Sequence, residues 1–327
     1  MEPSPPAAPV PDQTLEPEGF VVVAESGERI HFLDWGVPGG NGDPSGDDVS
    51  DSPGVLAIHG LSQTGWIWAP IARRIGGPAG SRRFIAMDLR GHGLSDAPTD
   101  DGAYDLAVLA SDVEAVAEGS GLLAADRGPG AGAGVVLAGH GFGAIVAATA
   151  ALELGDRCAG LVLVDGGWES LEASTGVDVD EFLRGLDEPP EVMRSLPAFL
   201  ADRSRFDPGS WDADQDRAAR ATVVETHAGR VVPATRPHAL EASVRVMFTY
   251  DPAAILTAVT APIVALIAAD DETGSRAAAL AAMSAGREAA GRGRIDQGSF
   301  GHDGHNLMRY RPREVAAAIA AVDGLGR

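Results

Sequence analysis

The sequence predicts an α/β chain: a doubly wound, mostly parallel sheet with an inserted helical cap. Three observations predict it. Short, continuously apolar runs at residues 55–58, 84–87, 135–138, 161–164 and 263–268 suit parallel strands buried on both faces. Helix-like stretches at 68–75, 106–118, 142–154, 275–285 and 312–322 alternate with them, and that alternation defines a doubly wound sheet. The alternation lapses between about residues 168 and 260, a polar, helix-leaning stretch with scattered Phe182, Phe199, Trp211, Phe248 and Tyr250. An insertion there would cover the carboxyl ends of the strands, where open α/β sheets bind ligands.

Taken in chain order, residues 1–18 are rich in Pro and Ala and are expected to form a structureless tail. Residues 20–24 and 29–35 are β-rich and split by Ser26-Gly27-Glu28, which predicts a hairpin. Residues 37–53 concentrate Gly, Pro, Asp and Ser and predict an acidic surface loop; 128–134 predicts a second loop. The core is expected from 19–167 and 261–327, with the cap at 168–260. Pro312 stands in the first turn of the last helix, where its missing N–H costs nothing.

The 327 residues are enough for one large domain with a sizeable core. With 25 basic and 47 acidic residues the formal charge is −22, a field that repels phosphate backbones and anionic lipid. Nucleic acid is therefore excluded as a partner, and a solvating acidic surface accounts for the charge. No run approaches eighteen apolar residues, so no membrane span is expected. The start of the chain lacks the basic and apolar regions of a secretion signal. The single cysteine, Cys158, fits a reducing compartment. A cytoplasmic location is expected; oligomeric state stays open.

The chemistry concentrates in four places. Gly139-His140-Gly141-Phe142-Gly143 joins a strand to a helix of small and apolar residues, the layout of a nucleophile elbow whose central residue points at substrate. Here that residue, Gly141, has no side chain. His59-Gly60-Leu61 follows a strand. Asp88-Leu89-Arg90-Gly91-His92-Gly93-Leu94-Ser95-Asp96 follows another. Asp270 and Asp271 follow the strand opened by Pro262, and His302 and His305 stand in Ser299–His305.

With these residues the chain resembles the α/β-hydrolase superfamily, in its esterase, haloperoxidase and epoxide-hydrolase-like branch, over roughly residues 19–325. The resemblance implies the order nucleophile, acid, histidine. An acid nine residues after the strand's proline selects Asp271, with Asp270 as the fallback; a helix-capping or solvated aspartate is the plain alternative. Gly-His with a trailing proline before the last helix selects His305 as base and leaves His302 as a neighbour. The family's oxyanion hole maps onto the backbone amides of Leu61 and Phe142.

Other residues keep two readings. Ser62 is a substitute nucleophile or a serine in a tight turn, the tight turn being preferred. Trp66 and Trp68 wall the pocket or belong to the core. His59 is a pocket candidate with a structural role preferred, and His140 lines the pocket or packs behind the turn. Cys158 reads as buried packing. His302, Asp303 and His305 have no further ligand cluster nearby in sequence, so no metal is expected, and no cofactor.

Without a hydroxyl at position 141 the acyl-enzyme route is closed. His305, held by its acid, can act as general base on water or on a substrate proton. The expectation is a hydrolase-like protein for a small, largely apolar, uncharged or cationic molecule, serine-independent and water-activating or non-hydrolytic. The alternative is a ligand-binding pseudoenzyme; an interaction module is a third reading.

Overall fold

The computed structural model describes residues 15–36, 52–77, 82–123, 134–186, 191–268, 274–301 and 303–325. Among the described residues ten strands run in the order β1 (Glu18–Val23), β2 (Arg29–Asp34), β3 (Val55–Ile58), β4 (Phe84–Met87), β5 (Val135–His140), β6 (Cys158–Val164), β7 (Val223–Glu225), β8 (Val231–Pro233), β9 (Ile263–Ala268) and β10 (Ile295–Phe300). Eight of them form one sheet, ordered β1-β2-β4-β3-β5-β6-β9-β10. β1 and β2 pair antiparallel, as does β2 with β4; every other pairing in this sheet is parallel. The α/β-hydrolase fold, mostly parallel and flanked by helices, is the fold observed.

The apolar runs explain the centre of the sheet. Every residue of β3, β4, β5 and β9 is buried, because helices cover both faces. On the chain go α1 (Ala69–Ile75), α2 (Leu106–Gly119) and α3 (Phe142–Leu154). α3 is buried on nearly all sides, and its run of Ala and Gly lets it lie close against the sheet. α4 (Leu171–Thr175), α5 (Val179–Gly185), α6 (Leu196–Phe206), α7 (Ala213–Ala221), α8 (Pro237–Thr249) and α9 (Pro252–Ala258) fill the segment between β6 and β9. α10 (Ser275–Ala289), α11 (Leu307–Tyr310) and α12 (Pro312–Ala321) complete the chain.

Three local expectations change. The tail does not run to residue 18: β1 opens at Glu18, Leu15 packs against the core, and Glu16 pairs with Arg73 and Arg217. The segment between β6 and β9 is not all helix, since β7 and β8 pair as a small antiparallel sheet. β10, unforeseen, forms the far edge of the main sheet; its residues are largely exposed, so it carries no apolar run. The predicted loops at 37–53 and 128–134 lie almost wholly outside the described residues.

Candidate active site

The elbow is built where β5 meets α3. Gly141 adopts φ +52° and ψ −114°, a left-handed conformation that a side chain takes up only under strain. The turn is tight because backbones cross there: a Cβ on Gly143 would stand 2.3 Å from the His59 carbonyl oxygen and 2.4 Å from that of Ile58. The neighbours thus impose the turn; the residue at its apex only has to tolerate it.

Two residues with unengaged amides line the cavity beside the apex. Phe142 opens α3, so its N–H has no carbonyl within the helix to bind. Leu61 lies in the turn after β3, next to Ser62 at φ +59°. No described residue accepts a hydrogen bond from either amide. Both residues line a cavity of about 790 Å³, together with Gly141, His140, His305 and Asp165. The N-terminal end of α3 adds its partial positive charge there. The pair can hold a developing oxyanion.

His305 stands over the apex. An ideal Cβ built on Gly141 would lie 3.1 Å from His305 Nε2. The other ring nitrogen, Nδ1, bonds Asp165 Oδ2 at 2.6 Å. Asp165 directly follows β6, and its φ of +49° is strained for a side chain. It is 3% exposed, whereas the His305 side chain is 61% exposed. Burial works against the Asp165 charge. The hydrogen bond from His305 and the charges of His305 and Arg276 outweigh it and hold the carboxyl below its usual range.

Asp271, expected as the partner of His305, lies outside the described residues, as do Asp270 and His302. Nδ1 has one direction for a hydrogen bond, and Asp165 fills it. Sequence reasoning passed over Asp165, although it directly follows an apolar strand and precedes Gly166-Gly167, a usable signal.

His140 lines the cavity with its ring centroid 4.3 Å from that of His305. Its Nε2 donates to the His305 carbonyl at 3.0 Å, and Nδ1 meets the Gln63 side-chain amide at 3.0 Å. Burial, followed by the charge of His305, pushes its pKa down to about 3, so the ring is neutral. It braces the loop that carries His305.

His59 does not line the cavity. Its Nδ1 donates to the Gly60 carbonyl at 2.7 Å and Nε2 accepts from Leu89 N–H at 2.9 Å, a fully satisfied structural role. Trp66 also stays off the cavity, packing against Trp35 with Arg217 over its ring at 4.0 Å. Trp68 is core. Ser62 lines the cavity, and Cys158 is buried, with its thiol pushed up to about 12 by burial. Among the described residues no cluster of His, Cys, Asp or Glu could hold a metal.

Acid should weaken this region. His92, like His140, is buried with its pKa pushed by burial to about 3, from an ordinary 6.5. Below that ordinary value the unfolded chain takes up protons that the folded chain refuses. Stability is full above about pH 6.5 and declines as the pH falls toward 3; at pH 5 each ring removes about 2 kcal/mol. Thermal melts between pH 7.5 and 5 check this. His92→Gln should show a flatter dependence than wild type, and equal slopes would refute the assignment.

The sequence model described as alpha/beta hydrolase family matches residues 55–318. "Epoxide hydrolase 4" of Mus musculus is 28% identical over 144 residues, 44% of this chain but only 33% of that protein's length. "Putative carbamate hydrolase RutD" of Variovorax paradoxus is 30% identical over 224 residues, 68% of this chain and 75% of that protein. Among solved structures, E-2-(acetamidomethylene)succinate hydrolase superposes with a TM-score of 0.71 at 20% identity, over 94% of this chain and 98% of that one. The chain belongs to the alpha/beta hydrolase family. Among the described residues no helix is long and apolar enough to cross a membrane.

Proposed function

We propose that this chain is a cofactor-free, serine-independent hydrolase in which His305, oriented by Asp165, activates water against a small, largely apolar molecule. The observation that carries this is the distance between His305 and the elbow. An ideal Cβ on residue 141 would stand 3.1 Å from His305 Nε2, so the apex without a side chain leaves Nε2 facing the cavity, where a water standing further from Gly141 than a bonded Cβ can hydrogen-bond it. A water there meets the base on one side and a carbonyl held by the Leu61 and Phe142 amides on the other. The base takes the water's proton as the oxygen adds to the carbonyl carbon and the π pair moves onto the amide-held oxygen; the intermediate then collapses, the bond to the leaving group breaks, and the imidazolium stabilised by Asp165 returns the proton to that group or to solvent. The exposure of His305 favours water access over a dry binding pocket.

In this reading Gly141 stands where the family resemblance implies a nucleophile, and the segment 168–260 acts as a cap. The cavity wall is mostly apolar, with Ile67, Ile145, Leu171, Phe182 and Met247 among its residues. It also holds Arg203, Arg276 and Arg309 against Asp165 and Glu169. The local balance is therefore basic although the chain is acidic, and the cationic half of the substrate expectation is withdrawn.

The test is His305→Ala on p-nitrophenyl acetate. Turnover by the wild-type chain should fall about 10²–10⁴-fold, the usual share of a general base. Unchanged turnover in the variant would sink the proposal. No turnover in either protein, with saturable ligand binding, would turn the reading to a binding pseudoenzyme.

A further inference from the structure

Asp165 does not face His305 alone. While Oδ2 takes His305 Nδ1, Oδ1 accepts from Ala268 N–H at 2.9 Å and from Arg276 Nη1 at 2.8 Å. Arg276 comes from the first turn of α10 and is held on three sides. Its Nε donates to Glu169 Oε1 at 2.7 Å, and its guanidinium lies 5.2 Å over the Trp168 ring. The result is a partly buried row of alternating groups: His305, Asp165, Arg276, Glu169.

We infer that Arg276 is a positioning residue for the His305 base: it fixes the outer oxygen of Asp165 and offsets part of that carboxylate's field on the imidazole. An unopposed buried carboxylate favours the protonated imidazolium, which is no base. A guanidinium on the far oxygen leaves the carboxylate's orientation intact but weakens that pull, keeping the ring able to accept a proton. Among the described residues, the other charged or titratable groups around the row are already engaged. His140 on β5 is neutral, Asp303 is taken by Arg311 at 2.6 Å, and Arg309 on α11 bonds Ser210 Oγ at 2.6 Å. The inference rests on the base role proposed for His305.

The experiment is an NMR titration of the full chain with labelled histidine, the His305 signal being identified by its loss in His305→Gln. In Arg276→Met the His305 imidazole should titrate at higher pH by roughly half to one pH unit. Arg276→Lys keeps the charge and should return most of the way. Glu169→Gln leaves Arg276 less neutralised and should move the midpoint the other way, which gives a reading even where the Met variant does not fold. A folded Met variant with an unmoved midpoint, or a Lys variant displaced as far as Met, overturns the inference. Wild-type ester turnover is measured on the same samples. No turnover with a displaced midpoint removes the base role and leaves the Arg276 coupling standing. Turnover with an unmoved midpoint does the reverse.

Discussion

Gly141→Ser should hydrolyse p-nitrophenyl acetate about 10²-fold faster than wild type or more, with a burst of p-nitrophenol as the serine is acylated. The hydroxyl would be presented by a turn already in the required conformation, beside a base already paired with an acid. Covalent catalysis splits one difficult step into two easier ones, which a bound water cannot match. The gain should come with a cost in stability. A serine would have to adopt the φ of +52° that glycine takes freely, at about 1–3 kcal/mol. Its Cβ at 3.1 Å from Nε2 also requires His305 to retreat by a few tenths of an ångström. Burst kinetics read the first effect and urea denaturation the second. A folded serine variant with no burst and no gain would show that His305 and the amides do not converge on a carbonyl.

Asp165→Asn is the second large effect. It should lower turnover about 10²-fold or more, in wild type and in the Gly141→Ser background alike. An amide in this place presents the wrong hydrogen-bond pattern to Nδ1 and cannot stabilise an imidazolium. It also leaves Arg276 without one of its two carboxylates, so the melting temperature should fall as well. Asp271→Asn is the comparison: it should leave turnover near wild type. The reverse pattern, with Asp271 essential and Asp165 dispensable, would restore the acid expected from the resemblance.

The fold was legible because its central strands advertise burial. Residues such as Val55–Ile58 and Ile263–Ala268 are apolar without interruption, and only a sheet covered on both faces needs that. The elbow was legible because crossing backbones demand glycine at Gly139 and Gly143. His305, Leu61 and Phe142 all line the cavity that Gly141 also lines. The partner of His305 was not legible by the same route. An aspartate at a strand end looks alike after β6 and after β9, and only the three-dimensional register brings Asp165 Oδ2 to 2.6 Å from His305. His59, for which a structural role was preferred, and Trp66, left open between pocket and core, both stay off the cavity, because proximity in sequence to the elbow or its facing loop is not proximity to the cavity. β10 stayed hidden because an exposed edge strand owes nothing to apolar residues.

The elbow has a consequence for how such a site changes its chemistry. Its shape is written in the residues around position 141, in the glycines that let β5, α3 and the turn after β3 cross, and not in the apex itself. Position 141 is thereby an exchangeable cartridge. Serine or cysteine would install an acyl acceptor and aspartate an alkyl acceptor, each with a small retreat of His305, and in the proposed reading glycine leaves the attack to solvent. A lineage could move among these reactions by single replacements without rebuilding the pocket, and an engineer could do the same.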